Sequence, residues 1–289
     1  MATPLDPMTV KPLAKLLAAE ITGVDLAAID DDSFARLRDA LHDHVVVAVR
    51  GQALSPAEQT DFTRRFGEIQ YHINSEYKMV DQPEVLILST EIRDGKNVGI
   101  PDAGGDWHSD HSYVERPTAY TILQSVTVPS VGGDTEWTSM VAAYEALGDD
   151  MKARLDGLVG IHSFNRMRNP RMTRSTRHAN QAEYYAQRSP PDAFHPIART
   201  HPHTGKKALF ISPRFTIGIL DMDDAEAEAL LDELFAHIAN RDFVYHHKWR
   251  AGDLLMWDNR SALHLALGGV KAPEIRRMHR TTVKGEIPA

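Results

Sequence analysis

Residues 251–264 read AGDLLMWDNRSALH and carry the pattern that indicates the fold. The turn signal Ala251-Gly252-Asp253 precedes the apolar run Asp253–Trp257, which is typical of a buried strand. Six other short runs have the same β-type character: Val45–Val49, Val85–Leu88, Tyr120–Val128, Leu209–Ile211, Phe243–Trp249 and Arg280–Val283. Because these runs do not alternate regularly with helices, they disfavour a Rossmann sheet. They favour a mostly β protein, a jelly roll or barrel with added helices.

Helical periodicity predicts five helices outside this β core. The clearest helix covers Asp223–Ala239, whose apolar residues form one stripe, and Ser55–Phe66 opens with the Ser-Pro and Glu58 of a capping box. The others are Asp31–His44, Ser139–Leu147 and Asp149–Leu158. The chain contains no recognisable linker or internal repeat, so we expect a single domain over residues 1–289.

The composition excludes several classes of protein. Lys and Arg total 32 against 40 Asp and Glu, and the resulting net charge of −8 argues against a general nucleic-acid binder. Because cysteine is absent, any metal must be held by nitrogen and oxygen ligands. No run reaches the ~18 apolar residues of a membrane span, and the N-terminus lacks a signal-peptide pattern. We therefore expect a cytoplasmic protein without a membrane partner.

Three residues are candidate metal ligands. His108 and Asp110 are two positions apart and share a face if the segment is extended. This pair alone is weak, since 15 histidines and 40 acidic residues give about two such pairs by chance. His264, at the end of the opening stretch, completes a set that suits a 2-His-1-carboxylate triad for Fe(II). Three other close pairs lack a carboxylate at matching spacing and are interpreted as structural: His42/His44, His201/His203 and His246/His247.

Around these residues the chain resembles the taurine dioxygenase and 2,4-dichlorophenoxyacetate dioxygenase family of Fe(II)/2-oxoglutarate-dependent oxygenases. The resemblance covers nearly the whole chain and rests on the joint order of four blocks: Trp107-His108-Ser109-Asp110, Gly132-Gly133-Asp134-Thr135-Glu136-Trp137, Gly252-Asp253 through Trp257-Asp258-Asn259-Arg260 to His264, and Arg276-Arg277-Met278-His279-Arg280. It implies a double-stranded β-helix (jelly roll) core with iron at its mouth. It also implies Fe(II), 2-oxoglutarate as cosubstrate, O2 and a homo-oligomer.

Matched motif to motif, the resemblance makes His108, Asp110 and His264 the iron ligands. It makes Thr135 and Arg276 the residues that hold the distal carboxylate of 2-oxoglutarate, with Arg277 as the alternative arginine. A guanidinium pairs bidentately with a carboxylate, and the threonine hydroxyl donates one more hydrogen bond. On spacing alone, the arginines of this last block also fit a solvated edge strand.

The resemblance assigns the primary substrate to a second anion site. Arg280 corresponds to the arginine that grips the acidic group, His72 to a histidine facing that group, and Phe215 to an aromatic pocket wall. Arg276 and Arg280 are four apart, a spacing that would put both on one face if the segment is a strand and that suits one cavity holding two anions. Residues 103–105, AGG, replace the acidic and amide residues of the taurine enzymes and argue against taurine itself.

The implied reaction is hydroxylation of a C–H bond in a small organic anion, with 2-oxoglutarate converted to succinate and CO2. The candidate substrates are sulfonates, sulfate esters, aryloxyalkanoates and carboxylates. Cleavage of a C–S, C–O or C–N bond follows when the hydroxylated carbon bears that heteroatom. Related halogenases lack the carboxylate ligand, so Asp110 favours hydroxylation over halogenation.

One long segment, Ser163–Pro196, has no clear periodicity. Between Asn165 and Arg188 it contains six arginines and one acidic residue, Glu183. We expect a lid that attracts anions and then excludes water, because long loops in compact domains are usually functional or disordered. A solvated basic loop and an oligomer contact are the alternatives.

Two other functions stay open at the level of sequence. A non-catalytic jelly-roll binding or sensor protein would be expected to lose Asp110, Arg276 or Thr135, and all three are present. A zinc hydrolase would use the same three metal ligands, but it would give no role to an arginine and a threonine beside them.

Overall fold

The computed structural model describes residues 7–72, 75–101, 104–164 and 190–289. Within these ranges the chain is mostly strands with few helices. The strands are β1 (Thr9–Pro12), β2 (Ala19–Thr22), β3 (Val46–Val49), β4 (Leu86–Ser89), β5 (Ile92–Arg93), β6 (Lys96–Asn97), β7 (Thr118–Thr127), β8 (Thr135–Ser139), β9 (Val159–His162), β10 (Ala193–Pro196), β11 (Ala198–Thr200), β12 (Lys207–Leu209), β13 (Thr216–Ile219), β14 (Val244–His247), β15 (Leu254–Asp258), β16 (Ala262–Ala266) and β17 (Arg277–Lys284). The helices are α1 (Asp31–His44), α2 (Pro56–Arg64), α3 (Met140–Glu145), α4 (Asp149–Leu155) and α5 (Asp224–Ile238).

The larger sheet has seven strands in the order β1-β2-β3-β15-β7-β17-β4. Neighbouring strands are antiparallel except β2 and β3, which are parallel. The predicted strand of the opening stretch is confirmed as β15, which lies between β3 and β7. Strand β15, whose end leads through a turn to His264, is therefore the central strand of the larger sheet.

Strand β15 is buried on both faces. Leu254 and Met256 join the core beneath α1 and α2, whereas Leu255 and Trp257 join a second core on the opposite face. Side chains alternate between the two faces of a strand, so a continuous apolar run is needed when both faces are covered. Full burial of each such side chain contributes about 1.5–3 kcal/mol.

The smaller sheet, β14-β8-β16, packs on the larger one through the second core, which includes Trp137 and Ala262. Trp137 of β8 packs edge-on against Trp257 of β15, with ring centroids 5.4 Å apart. Neither β8 nor β16 is among the strands predicted from the sequence, although they carry Thr135 and His264. The remaining strands in the described ranges form the small groups β10-β9-β13, β11-β12 and β5-β6.

The five predicted helices are present with slightly different ends. The capping box of α2 is confirmed: the Ser55 hydroxyl accepts from the Glu58 amide, and the Glu58 carboxylate accepts from the Ser55 amide. The apolar stripe of α5 is buried against the cluster that includes α3. None of the described helices is both long and apolar enough to pass through a membrane.

The predicted lid at 163–196 is described only at its ends. Residues 165–189, which hold its six arginines, lie outside the described residues. Ala193–Pro196 forms β10, which pairs with β9. The lid therefore stays a prediction.

Candidate active site

The structure brings the three predicted metal ligands together. His108, Asp110 and His264 are buried, and each offers a ligand atom within 4.8 Å of the others. The backbones of His108 and His264 exchange two hydrogen bonds, of 3.1 and 2.9 Å, which fix the two imidazoles beside each other with ring centroids 4.0 Å apart. In the described part of the chain this is the one group of three residues suited to a metal ion.

The Asp110 carboxylate is held on both oxygens. Thr121 on β7 donates to Oδ2 at 2.7 Å, and Arg280 on β17 donates to Oδ1 at 3.1 Å. The Asn259 side chain connects these parts, because its Oδ1 accepts from the Asp110 amide and its Nδ2 donates to the Thr121 hydroxyl. Two strands and one turn therefore orient a single carboxylate.

The charges in the site favour metal binding. Burial alone would raise the pKa of Asp110, but Arg280 and the two histidines outweigh it and hold the pKa well below its usual range. Burial lowers the pKa of His264 to about 4 and that of His108 well below its ordinary value. At neutral pH the site thus offers one carboxylate and two neutral imidazoles, the forms that bind a metal.

The His108 ring is oriented by its own turn. Its Nδ1 lies 2.8 Å from the carbonyl oxygen of Asp106, which can only accept, so Nδ1 carries the proton and Nε2 is left for a metal. Gly104 passes directly beside this ring at φ +81°, and a Cβ there would be 2.8 Å from Cε1 of His108. Glycine is required at this position for clearance as well as for its backbone angle.

Arg276 and Thr135 line the same cavity as the two histidines. Arg276 donates from Nε to the Gly133 carbonyl at 3.0 Å and forms no ion pair with a carboxylate among the described residues. Burial lowers its pKa to about 10, against the opposing charge of Asp134, so Arg276 remains a cation at neutral pH. Arg277 instead pairs with Glu91 at 3.4 Å, and it does not line the cavity.

The predicted substrate residues surround the metal ligands. Arg280 lines the cavity beside Asp110. Burial, followed by the charge of Arg280, lowers the pKa of His72 well below its usual value, so these two side chains share one environment. The Phe215 ring lies 6.0 Å from the His108 ring and 4.9 Å from that of Tyr113.

The histidines interpreted as structural make other contacts. His201 pairs with Asp258 at 3.0 Å, His42 bonds the Tyr120 hydroxyl at 2.7 Å, and His246 lies between Asp134 and Glu136. Groups distant in sequence, carboxylates for His201 and His246 and a phenol for His42, supply the partners that local spacing did not reveal.

Sequence reasoning missed three residues that support the site: Thr121, Asn259 and Trp249. Thr121 and Asn259 orient Asp110, and the indole of Trp249 donates to Thr135 at 3.0 Å. The sequence offered a signal only for Asn259, which stands inside the block ending at His264.

Two histidines and one carboxylate, beside a partly buried arginine without an ion pair in the described ranges, fit a single metal ion with an anionic ligand. The donor set, a buried His264 Nδ1 without a hydrogen-bond partner in the described ranges, and neutral imidazoles all agree with this fit. The residues present therefore fit the mononuclear 2-His-1-carboxylate class of metal site. The chain belongs to the taurine catabolism dioxygenase TauD, TfdA family, whose model matches residues 9–282.

Relatives whose names state an activity point to the same family of dioxygenases. The chain is 34% identical to an alpha-ketoglutarate-dependent 2,4-dichlorophenoxyacetate dioxygenase of Cupriavidus pinatubonensis, over 88% of this chain and 90% of that protein. It is 32% identical to an (S)-phenoxypropionate/alpha-ketoglutarate-dioxygenase of Sphingobium herbicidovorans, over 89% and 88%. A taurine dioxygenase structure from Burkholderia xenovorans superposes with a TM-score of 0.81 at 33% identity, covering 98% of this chain and 91% of that one.

These comparisons confirm the predicted enzyme class. The chain is a 2-oxoglutarate-dependent non-haem iron dioxygenase, and the family uses Fe(II), 2-oxoglutarate and O2. They support the catalytic interpretation and give no support to a non-catalytic binding or sensor protein.

Proposed function

We propose that the chain hydroxylates a C–H bond of a small organic anion while 2-oxoglutarate is converted to succinate and CO2. His108, Asp110 and His264 would hold Fe(II), which supplies the oxygen chemistry when bound. The observation that carries the proposal is a partly buried, cationic Arg276, without a carboxylate partner in the described ranges, in the same cavity as His108 and His264. A charge drawn out of water is costly unless it is paired, so this cavity suits an anion.

Arg276 and Thr135 are the proposed 2-oxoglutarate residues. The Gly133 carbonyl occupies only Nε of Arg276, so its terminal nitrogens are available to a carboxylate fork. Thr135 comes from β8 of the smaller sheet and would donate the second contact. Arg277 is set aside as the alternative because its guanidinium pairs with Glu91.

Arg280, His72 and Phe215 are the proposed substrate residues. Arg280 bonds Asp110 through one terminal nitrogen, and its guanidinium has further donors for an acidic head group. The tilted rings of Phe215, Tyr113 and Phe164, with centroids 4.7–4.9 Å apart, form an apolar wall beside His108. Such a wall suits the apolar or aromatic body of an aryloxyalkanoate. Sulfonates, sulfate esters and other carboxylates stay among the candidate substrates.

We also propose a core fold, a single domain, a cellular location and an oligomeric state for the chain. The two facing sheets support a jelly-roll core, and one family model spanning residues 9–282 supports a single domain. The net charge of −8 and the lack of cysteine support a cytoplasmic enzyme with no nucleic-acid or membrane partner. A homo-oligomer rests on the family resemblance alone, and the lid at 163–196 rests on the arginine-rich composition of the segment.

Succinate release tests the reaction. Fe(II)-loaded protein and 2-oxoglutarate are incubated with a panel of aryloxyalkanoates, sulfonates, sulfate esters and simple carboxylates, and succinate is measured against product. We expect at least one anion to give succinate and hydroxylated or fragmented product in equal amounts. Binding of 2-oxoglutarate without any coupled succinate, across the whole panel, would contradict the proposal and favour the binding-protein alternative.

A pair of neighbouring variants tests the 2-oxoglutarate site. Arg276→Gln should weaken 2-oxoglutarate binding roughly a hundredfold, because it removes a charge-assisted pair inside the cavity. Arg277→Gln changes the adjacent arginine and should leave the affinity within about threefold. Calorimetry with Mn(II)-loaded protein measures the 2-oxoglutarate affinity of both variants. A larger loss of affinity in Arg277→Gln than in Arg276→Gln would assign the role to Arg277.

A further inference from the structure

Trp249 contacts both proposed 2-oxoglutarate residues. It follows β14 and is 7% exposed. Its indole Nε1 lies 3.0 Å from the Thr135 hydroxyl oxygen. The guanidinium carbon of Arg276 lies 5.8 Å from its ring centroid, within the range of a cation–π contact. One buried side chain thus joins the threonine of β8 to the arginine before β17.

The chemistry of the indole fixes the direction of the hydrogen bond. A tryptophan side chain has a donor and no nitrogen acceptor, so Trp249 donates and Thr135 Oγ1 accepts. The hydroxyl hydrogen of Thr135 must then point away from the indole. No described residue accepts that hydrogen, and Thr135 lines the cavity. The contact therefore leaves Thr135 able to donate to a ligand in the cavity.

We propose that Trp249 is a positioning residue for the cosubstrate: its indole N–H sets the Thr135 hydroxyl as a donor toward the distal carboxylate of 2-oxoglutarate. This inference rests on the proposed function, because it assumes that Thr135 and Arg276 bind that carboxylate. The donated bond also polarises the hydroxyl, and a polarised hydroxyl is a stronger donor. The indole ring beside Arg276 limits the positions of the guanidinium at the same time.

Calorimetric binding of 2-oxoglutarate to Mn(II)-loaded protein tests the role of the indole N–H. Trp249→Phe keeps an aromatic ring beside Arg276 but removes the donor, and we expect the Kd to rise roughly three- to tenfold. Trp137→Phe is the matched control, since Trp137 is buried on β8 two residues from Thr135 and its Nε1 has no partner in the described ranges. Its Kd should stay within about twofold of the wild type.

A double-mutant cycle separates positioning from general packing. In a Thr135→Val background, which lacks the hydroxyl, Trp249→Phe should change the Kd less than about twofold. In a Thr135→Ser background the three- to tenfold effect should return. An effect of Trp249→Phe that is equally large in the valine background would overturn the inference and make Trp249 a packing residue.

The wild-type protein provides a test that does not depend on a variant folding. In Zn(II)-loaded protein, the indole N–H NMR signal of Trp249 should shift on addition of 2-oxoglutarate, while that of Trp137 should not. An unmoved Trp249 signal overturns the inference. If Arg276→Gln and Thr135→Val also leave the affinity unchanged, the proposed site itself fails; if they weaken it while Trp249→Phe does not, only the inference fails.

Discussion

Thr121 orients Asp110, one of the three predicted metal ligands. Its hydroxyl donates to Asp110 Oδ2 and accepts from Asn259 Nδ2. Thr121 therefore links the carboxylate to the turn that holds Asn259. We predict that Thr121→Val lowers Mn(II) affinity roughly 10–100-fold, the usual cost of losing a partner that orients a ligand. Calorimetric metal titration of the purified variant measures the loss.

A second buried threonine provides the control for that variant. Thr138 is also fully buried, but its hydroxyl donates to the Ile238 carbonyl and not to a predicted metal ligand. Thr138→Val should reduce the free energy of unfolding by about 1–3 kcal/mol, as Thr121→Val does, because each leaves a buried group unsatisfied. Only Thr121→Val should change metal affinity. If both variants lost the same amount of Mn(II) affinity, the effect of Thr121 would be purely structural.

Single residues also mark the limit of what the sequence predicts. His108, Asp110 and His264 were found from motif order, and the structure brings them together. Thr121 and Trp249 were not found, because each acts through a contact across more than ten residues of chain, with no fixed spacing to the residue it supports. A threonine or tryptophan in an apolar strand has the same appearance whether it orients a ligand or only packs.

At the scale of elements, the turn that leads into His108 contains a glycine pair with unequal roles. Gly104 has φ +81° and lies against the His108 ring, whereas a Cβ on Gly105 would meet nothing within 4 Å. We predict that Gly104→Ala displaces His108 and lowers Mn(II) affinity at least tenfold, while Gly105→Ala leaves it unchanged. Metal titration of both variants checks this, and equal affinities would mean that the turn adjusts without moving the ligand.

The elements that carry the site were harder to predict than those that form the core. Strand β15 was found because both of its faces are apolar. Strand β8, TEWTS, is buried along its whole length but holds three hydroxyl residues and a glutamate, so it lacks an apolar pattern. Its polar side chains are satisfied by distant partners, as Glu136 is by Arg241 and His246. Functional strands break the pattern that identifies ordinary ones.

At the scale of the whole molecule, buried neutral histidines should make the protein sensitive to acid. Burial, followed by His195, lowers the pKa of His162 from 6.5 to about 3. The unfolded chain therefore binds more protons below pH 6.5, and stability is lost as the pH falls from 6.5 toward 3. At pH 5 this one residue accounts for about 2 kcal/mol. His162→Phe should reduce the difference in unfolding free energy between pH 7 and pH 5 by that amount, measured by urea titration.

Phe210→Leu is the control for this pH effect. The Phe210 ring stacks on His162 with centroids 5.6 Å apart. Loss of the Phe210 ring should lower the free energy of unfolding by a similar amount at pH 7 and at pH 5. The difference between the two free energies should therefore stay the same. A pH difference that shrinks equally in both variants would indicate that acid acts elsewhere in the fold.

The reciprocal backbone bonds between His108 and His264 join two segments that are 156 positions apart along the chain. Neither amide can become accessible to solvent without releasing the other. In deuterated buffer the two amides should therefore exchange at one common rate, and a bound cation should slow both by the same factor. The mouth of the site would then open as a single unit, and its slowest motion would set how fast the ion escapes.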